Sequence, residues 1–512
     1  MSGTRDSAPS VAALLGRRVR ERPDAAAFID GSSGARLTWR DLDAHAQRWR
    51  SAARDAGLPA RSRIGLVAAE PLPFIAAYIG ALGAGMTAVP LDARAPFAQN
   101  ASIAERVRVD VLAAADAALH DGAAPWAAWH IDAARPANLT ANAAPRTGTA
   151  WPSNGAAIRP AVLLSSSGTS GAPKTVPLGE AQLLGAASRI VQHHRLGASD
   201  RGYTPLPLFH VNAQVVGLLA TLVSGGSLVV DARFVRDEYW DRVAAWGPTW
   251  LNTVPAVLAA LTELPVPAGD SARRAIRFAR SASAPLPLAV HARFQAHTGI
   301  GILETYGATE AAGQICANPL DVRLRRPGSV GLPTGIEVAI LDDQGYPVAV
   351  GEDGLVHLGG PAVVDHYVDA DAGGRETLRT ARESNGWWRS GDVGHLDESG
   401  FLHLAGRADD VINRGGEKFH PLDVESVLLQ HAGVATAAVV AVPHARLGQV
   451  PVAFVVPGAQ ATASLADELR RLSDGALPRH MRPVEIRVAL RLPVGPTGKV
   501  HRRELARTWA AA

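Results

Sequence analysis

Four stretches of the sequence hold chemically capable side chains at short spacing. LSSSGTSGAPKTVPL, residues 164–178, is rich in hydroxyls and glycines and carries Lys174. That composition suits a phosphate, but the Walker pattern G-x-x-x-x-G-K-[ST] fits only in part: Gly168 takes the first glycine position and Pro173 stands at the second. Proline has no amide hydrogen and a fixed φ, so it supplies neither the donor nor the positive φ that this corner needs. On composition alone the loop is a phosphate cradle or a plain strand-to-helix turn. ETYGATE, residues 304–310, sets Tyr306, Thr309 and Glu310 around a glycine; Glu310 is a hard oxygen ligand of the kind magnesium takes, and equally an ordinary loop charge. WWRSGDVGHLDESGFLHLAGR, residues 387–407, reads as β-hairpins with Asp392 and Arg407 at the turns. PTGK, residues 496–499, puts Lys499 just before the helical RRELARTWA.

The elements that must position these groups follow from length and pattern. A chain of 512 residues exceeds what one hydrophobic core usually supports, so two or more domains are expected. RIGLVAA, AVLLSSS and SLVVDARF have strand length and composition, and they alternate with helical stretches such as LTWRDLDAHAQRWRSAARDAGL, FIAAYIGALGAG and LGEAQLLGAASRIVQHHR. Thr38 stands where the first of these helices would be capped, and Gly57 where it would close. Alternation of this kind indicates an α/β domain, here continuing to about residue 405. Residues 135–160, poor in periodicity, read as a surface connection. After residue 410 a compact unit of helices and strands follows. His193 and His194 read as solvated helix positions rather than metal ligands.

Composition excludes several classes. Fifty-one basic and 48 acidic residues are interspersed and leave a formal net charge of +3, which gives no pull toward nucleic acid. A lone cysteine, Cys316, rules out an internal disulfide framework and a zinc–cysteine cluster, and it fits a reducing, cytoplasmic location. No signal-peptide pattern follows MSGTRDSAPS, and the most apolar run, GLLATLVSGGSLVV, is too short and too interrupted to span a bilayer.

Taken together, in order and in spacing, the four motifs resemble those of the adenylate-forming superfamily of acyl-CoA synthetases, luciferase-like enzymes and non-ribosomal adenylation domains. The resemblance runs from LTWRDLDAHAQRWRSAARDAGL to PTGKVHRREL, nearly the whole chain. It implies an α/β fold, with a large N-terminal adenylation domain of α/β subdomains (residues 1–408) and a small, mobile α+β C-terminal domain (residues 409–512). It also implies a two-step reaction. An acid attacks the α-phosphate of MgATP to give an acyl-adenylate and pyrophosphate, and a thiol such as that of CoA then displaces AMP.

Residue by residue, Ser166, Ser167, Gly168, Thr169, Ser170, Gly171 and Lys174 match the family loop that grips the β- and γ-phosphates, in which the proline is expected. Tyr306 matches the ring that stacks on adenine, Thr309 the hydroxyl at the α-phosphate, and Glu310 the magnesium ligand. Asp392 matches the acceptor of both ribose hydroxyls, with Arg407 as its ribose-side partner. Lys499 matches the catalytic lysine that offsets repulsion between carboxylate and phosphate, and Asp409 the hinge about which the small domain swings. Gly415 and Gly416 match the strand that a pantetheine arm approaches closely.

The acid is less determined. Amino-acid-activating members place an aspartate where this chain has His210, which disfavours an amino acid. RGGEKFHPLDVE, RSASAPLP and LFHVN look most similar to the oxalyl-CoA synthetase group, in which residues at the positions of His210 and Ser283 bind a second carboxylate; His210 is equally well a pocket wall. Against that group, Ala308 replaces a bulkier methionine and Gly313 a histidine, which opens space for a larger acid. Thr175 follows Lys174 where the family usually has glycine, so either that corner is extended or the loop is slightly altered. Two rivals remain: loading of a carrier-protein phosphopantetheine in trans, and a non-catalytic ATP-binding protein.

Overall fold

The computed structural model describes residues 10–115, 127–131, 139–141, 159–166, 174–266, 271–370, 376–495 and 499–510. Within them the chain builds two nine-stranded sheets, a four-stranded sheet and a five-stranded C-terminal sheet.

The first large sheet is centred on parallel strands at residues 201–204, 227–230, 250–253, 278–281 and 302–308. The second is centred on strands at 63–67, 87–90, 111–114 and 160–166. Helix Pro71–Gly83 is apolar on every side and buried along almost its whole length. It touches strands of both sheets, which explains why it shows no polar face. Helix Glu180–His194 bridges the two sheets in the same way. One continuous core of side chains from both sheets and these helices results. Helix Trp39–Asp55 starts as expected from a capping box: Asp41 N donates to Thr38 Oγ1 (3.1 Å) and Thr38 N to the Asp41 carboxylate (2.8 Å). No helix among the described residues is long and apolar enough to cross a membrane.

Three expectations are corrected. The alternation of strand and helix does not persist to residue 405: strands 337–341, 354–359, 388–396 and 402–407 form an antiparallel sheet with short connections. The glycine-rich loop does not lead into a helix, because strand Lys174–Gly179 pairs back on Pro160–Ser166 before the helix begins at Glu180. The strands before and after residues 167–173 pair with each other, so no helix dipole stands behind that segment. His194 is not solvated; it is fully buried against the Phe278 ring, and burial holds its pKa well below the ordinary imidazole value.

The C-terminal part has its own cores on the two faces of its sheet. Val439 and Val455 face one, and Val440 and Phe454 the other, as period-two alternation requires. Arg502 ties its last helix to the sheet, through Glu425 and the Val439 carbonyl (2.8 Å).

Candidate active site

Antiparallel pairing of strands 388–396 and 402–407 sets Asp392 directly opposite Arg407. Both residues lie within the strands, and the turn falls at Asp397–Gly400, so their expected placement at turns is wrong by half a hairpin. The pairing does what two separate turns would not: Arg407 Nη1 donates to Asp392 Oδ1 at 2.8 Å and to the Ser390 carbonyl at 2.9 Å. Tyr306, at the end of strand Ile302–Ala308, donates its hydroxyl to Asp392 Oδ2. Each carboxylate oxygen accepts two hydrogen bonds, so Asp392 retains acceptor capacity beyond these partners. Burial and the Asp392 charge push the Tyr306 phenol well above its ordinary pKa, which keeps it a donor.

The second group forms where strand Lys174–Gly179 meets strand His366–Ala370, with Thr175 paired to Val368. Thr175 is buried and extended, the conformation expected of a β-branched residue there. This register brings Lys174 Nζ over the ring of Tyr367, 5.1 Å from its centroid. The Tyr367 hydroxyl donates to Glu310 Oε1 (3.3 Å) and accepts from Trp388 Nε1 (2.9 Å). Burial raises the Glu310 pKa, and the hydrogen bond from Tyr367 and the charges of Lys174 and Arg407 oppose the rise. Neither Tyr367 nor Trp388 has a sequence signal that marks it for this site; each is one aromatic residue within a strand. Tyr367→Phe removes one hydrogen bond from the Glu310 carboxylate and leaves the ring beneath Lys174. The same change takes the acceptor from Trp388 Nε1, so a loss of about 1–3 kcal/mol in stability is expected by thermal denaturation, with a rise in the magnesium concentration needed for half-maximal activity. An unchanged magnesium requirement would show that Tyr367 does not orient Glu310.

Lys499 lies between the two residues of the Val494–Val500 bridge, directly before Val500, and its carbonyl accepts from Gly495 N at 2.8 Å. The residue is exposed at the surface. Its ammonium nevertheless feels Arg407 and Asp392 across the domain junction, and desolvation there, followed by the Arg407 charge, lowers its pKa. Contacts among Tyr306, Asp392 and Arg407, and among Lys174, Tyr367 and Glu310, thus lie on the N-terminal side of the junction, and Lys499 faces Arg407 and Asp392 from the C-terminal side. Thr309 begins the short 3-10 turn Thr309–Ala311 that carries Glu310. Asp409 lies exposed in the 3-10 turn Ala408–Asp410, between the two parts. Gly415 and Gly416 form the tip of a hairpin apart from this group, with φ of 64° and 99°, values that glycine adopts freely. Ser166 ends its strand; Ser167, Gly168, Thr169, Ser170 and Gly171 lie outside the described residues.

Among the described residues no three His, Cys, Asp or Glu side chains converge as a metal cage. One buried carboxylate, Glu310, still fits magnesium, which is held by one or two carboxylates together with substrate phosphates.

The third group lies beside the start of the π-helix Asn212–Leu219. His210 packs on the Phe209 ring at 4.3 Å, and its Nε2 is buried with no hydrogen-bond partner. Burial lowers its pKa to about 4, so at neutral pH it is an uncharged donor or acceptor. Between pH 4 and 6.5 the unfolded chain binds a proton here that the folded chain refuses. The contribution of His210 to stability therefore grows as pH rises through that window and is lost as pH falls. His210→Gln is expected to narrow the difference in Tm between pH 7 and pH 5; an equal difference in both proteins would contradict the buried, neutral imidazole. Ser283 is exposed, with φ of 73°, and its Oγ accepts from Asn212 Nδ2 at 3.2 Å. Gly313 has φ of 115°, and a Cβ there would meet Val215 only at 3.7 Å. Space alone therefore does not explain the glycine; the backbone conformation requires it. Ala308 is half-buried, immediately before Thr309.

Two large sheets and a separate C-terminal unit, which carries Lys499 outside its own sheet, are the α/β architecture of the adenylate-forming proteins. A family model described as AMP-binding enzyme matches residues 15–368, and one described as AMP-binding enzyme C-terminal domain matches residues 423–499. The chain belongs to the AMP-binding enzyme family, within the adenylate-forming superfamily that contains the acyl-CoA synthetases. The sulfoacetate–CoA ligase of Cupriavidus necator is 41% identical over 349 residues, 68% of this chain and 66% of that protein. The oxalate–CoA ligase of Saccharomyces cerevisiae is 34% identical over 352 residues, 68% of this chain and 63% of that protein. The match thus spans slightly less than two thirds of these relatives. The crystal structure of ATP-bound MatB from Rhodopseudomonas palustris superposes with a TM-score of 0.84 at 25% identity, covering 97% of this chain and 99% of that one.

Proposed function

We propose that the chain is an AMP-forming acid–thiol ligase: it joins a small carboxylic acid to the α-phosphate of ATP, releases pyrophosphate, and passes the acyl group to CoA with release of AMP. The observation that carries this reading is the convergence of Lys499 from the C-terminal part on the Asp392–Arg407–Tyr306 group of the N-terminal part. In it, Asp392 accepts from the ribose hydroxyls while Arg407 and Tyr306 hold its carboxylate in place. Tyr306 also forms the adenine wall. Thr309 lies at the α-phosphate. Lys174 and the loop Ser166–Gly171 grip the departing pyrophosphate. Glu310, oriented by Tyr367, would hold magnesium, which when bound would neutralise charge on the phosphates. Lys499 places one ammonium between the acid's carboxylate and the α-phosphate, where two anions must approach.

Its position beside Arg407 and Asp392 suits the adenylation step. For the thiol step the domain from residue 409 onward swings about Asp409 and offers the hairpin of Gly415 and Gly416 to the pantetheine arm. A cytoplasmic location accords with the buried, free Cys316.

The acid is a small one with a second anionic group, oxalate or a larger analogue. Support comes from the uncharged His210 and Ser283 at the acyl end, from the small Ala308, and from relatives whose names specify sulfoacetate and oxalate. Steady-state kinetics with oxalate, sulfoacetate, succinate, acetate and butanoate, each with CoA or with a phosphopantetheinylated carrier protein, test this reading. A higher kcat/KM for the dianionic acids, with CoA as acceptor, is expected. Preference for butanoate would overturn the substrate class, and activity with the carrier alone would overturn the acceptor.

A further inference from the structure

Arg280 lies in the middle of strand Phe278–Ser281 and is almost fully buried. No Asp or Glu among the described residues forms an ion pair with it. Its Nη1 donates to Asn252 Oδ1 at 3.1 Å and to Asn212 Oδ1 at 3.0 Å. A buried guanidinium without a counter-ion is expensive, and burial pulls its pKa down to about 9.

A guanidinium only donates hydrogen bonds. The amide oxygen of Asn212 must therefore face Arg280, which settles the orientation of that amide. Its NH₂ then points the other way, and it donates to Ser283 Oγ at 3.2 Å. Because Ser283 Oγ accepts that bond, the hydroxyl proton is left to be given elsewhere. Ser283 itself is exposed and held at a φ of 73°, which a serine adopts only under constraint from its surroundings. Two residues before Asn212, His210 carries a buried Nε2 that has no partner. Asn212 also opens a π-helix, a wide turn that recurs at functional sites.

On the ligase reading above, we infer that Arg280 is the root of a one-way chain of donors, Arg280 to Asn212 to Ser283, and that this chain makes the acyl end selective for an acid with a second anionic group. Each link donates toward the pocket, and the polarisation of successive hydrogen bonds adds along the chain. The anion at Ser283 supplies the counter-charge that the fold withholds from Arg280. Arg280 acts here as a positioning residue: it touches the ligand only through Asn212 and Ser283. A purely structural tie between strand and helix would affect every acid alike.

The test compares succinate and sulfoacetate with butanoate, which matches succinate in carbon number, in the full-length protein and in Arg280→Met, Arg280→Lys and Asn212→Leu. Initial rates of AMP formation give kcat and KM, and thermal shift by succinate against butanoate gives selectivity without turnover. Loss of the succinate preference by about tenfold or more, mainly in KM, is expected in Arg280→Met and Asn212→Leu, with butanoate changed less than about threefold and partial recovery in Arg280→Lys. Should Arg280→Met fail to fold, Asn212→Leu, at a half-exposed position, decides the question. Equal losses for succinate and butanoate, or a preference that survives in the variants, overturn the donor chain while leaving the ligase reading intact. No acid-dependent AMP formation by the wild type, with selective thermal shift by succinate retained and lost in the variants, overturns the ligase reading and upholds the chain.

Discussion

Lys499→Ala is expected to lower acid-dependent pyrophosphate release by about 10²–10³-fold, the usual loss when one preorganised charge or donor at a developing anion is removed. Lys499 stands on an exposed turn, tied to its surroundings through backbone bonds of its own segment, so the variant should fold and keep its Tm. The loss should appear in kcat, with ATP affinity changed little. Asp392, Tyr306 and Arg407 would still hold the ribose side of the nucleotide, and none of them depends on Lys499 for its hydrogen bonds. The lowered pKa of Lys499 carries a pH consequence. Desolvation favours the neutral amine, so deprotonation sets in at lower pH than for a free lysine, and the adenylation rate should fall off on the alkaline side earlier than an ordinary ammonium would give. Normal adenylation by Lys499→Ala would remove the domain junction from the account.

Asp392→Asn is expected to damage both stability and binding. Asp392 accepts from Arg407 and from Tyr306, one bond on each oxygen, and an amide can present only one oxygen. The NH₂ group must therefore meet a donor, either the Arg407 guanidinium or the phenol, and the guanidinium loses its ion pair with Asp392. Breaking such a pair costs about 3–5 kcal/mol when fully buried. With side chains 24% and 16% exposed, the lower end, about 3 kcal/mol, applies here. The same change removes the acceptor for the ribose hydroxyls, and KM for ATP should rise by about tenfold or more. Thermal denaturation and ATP titration measure the two effects separately. A stable Asp392→Asn protein with unchanged KM for ATP would show that the Arg407–Asp392–Tyr306 group has no part in nucleotide binding.

Much of this site was legible in the sequence because its members sit in short runs whose order along the chain is distinctive. Tyr306, Thr309 and Glu310 occupy close positions at a strand end, and Asp392 and Arg407 lie in a stretch legible as a hairpin, although their pairing across its strands, rather than at its turns, was not. What escaped were contacts made by register across long separations. Tyr367 reaches Glu310 because strand His366–Ala370 pairs at Val368 with Thr175, nearly two hundred residues earlier, and no local pattern announces that pairing. Arg280 escaped for a different reason. A charged residue in an apolar strand reads as an edge or a solvated position, and only the pairing of Asn252 beside it, together with the start of the π-helix above, shows that it is buried and donates to two amide oxygens. His194 was misread on the same ground, since a His-His pair near a helix end looks polar until the helix is seen between two sheets. The hairpin under Lys174 shows how a glycine-rich loop after a strand fits two continuations equally well, and strand Lys174–Gly179 is held by pairing on both edges rather than by its own propensity.

The most direct test of the account measures pyrophosphate and AMP release from MgATP by the full-length protein, with and without oxalate, sulfoacetate or succinate, and with and without CoA. Little release without acid, pyrophosphate release that requires an acid, and sustained AMP release that requires CoA as well are expected. Release of phosphate in place of pyrophosphate, or pyrophosphate release indifferent to every acid, would contradict the account.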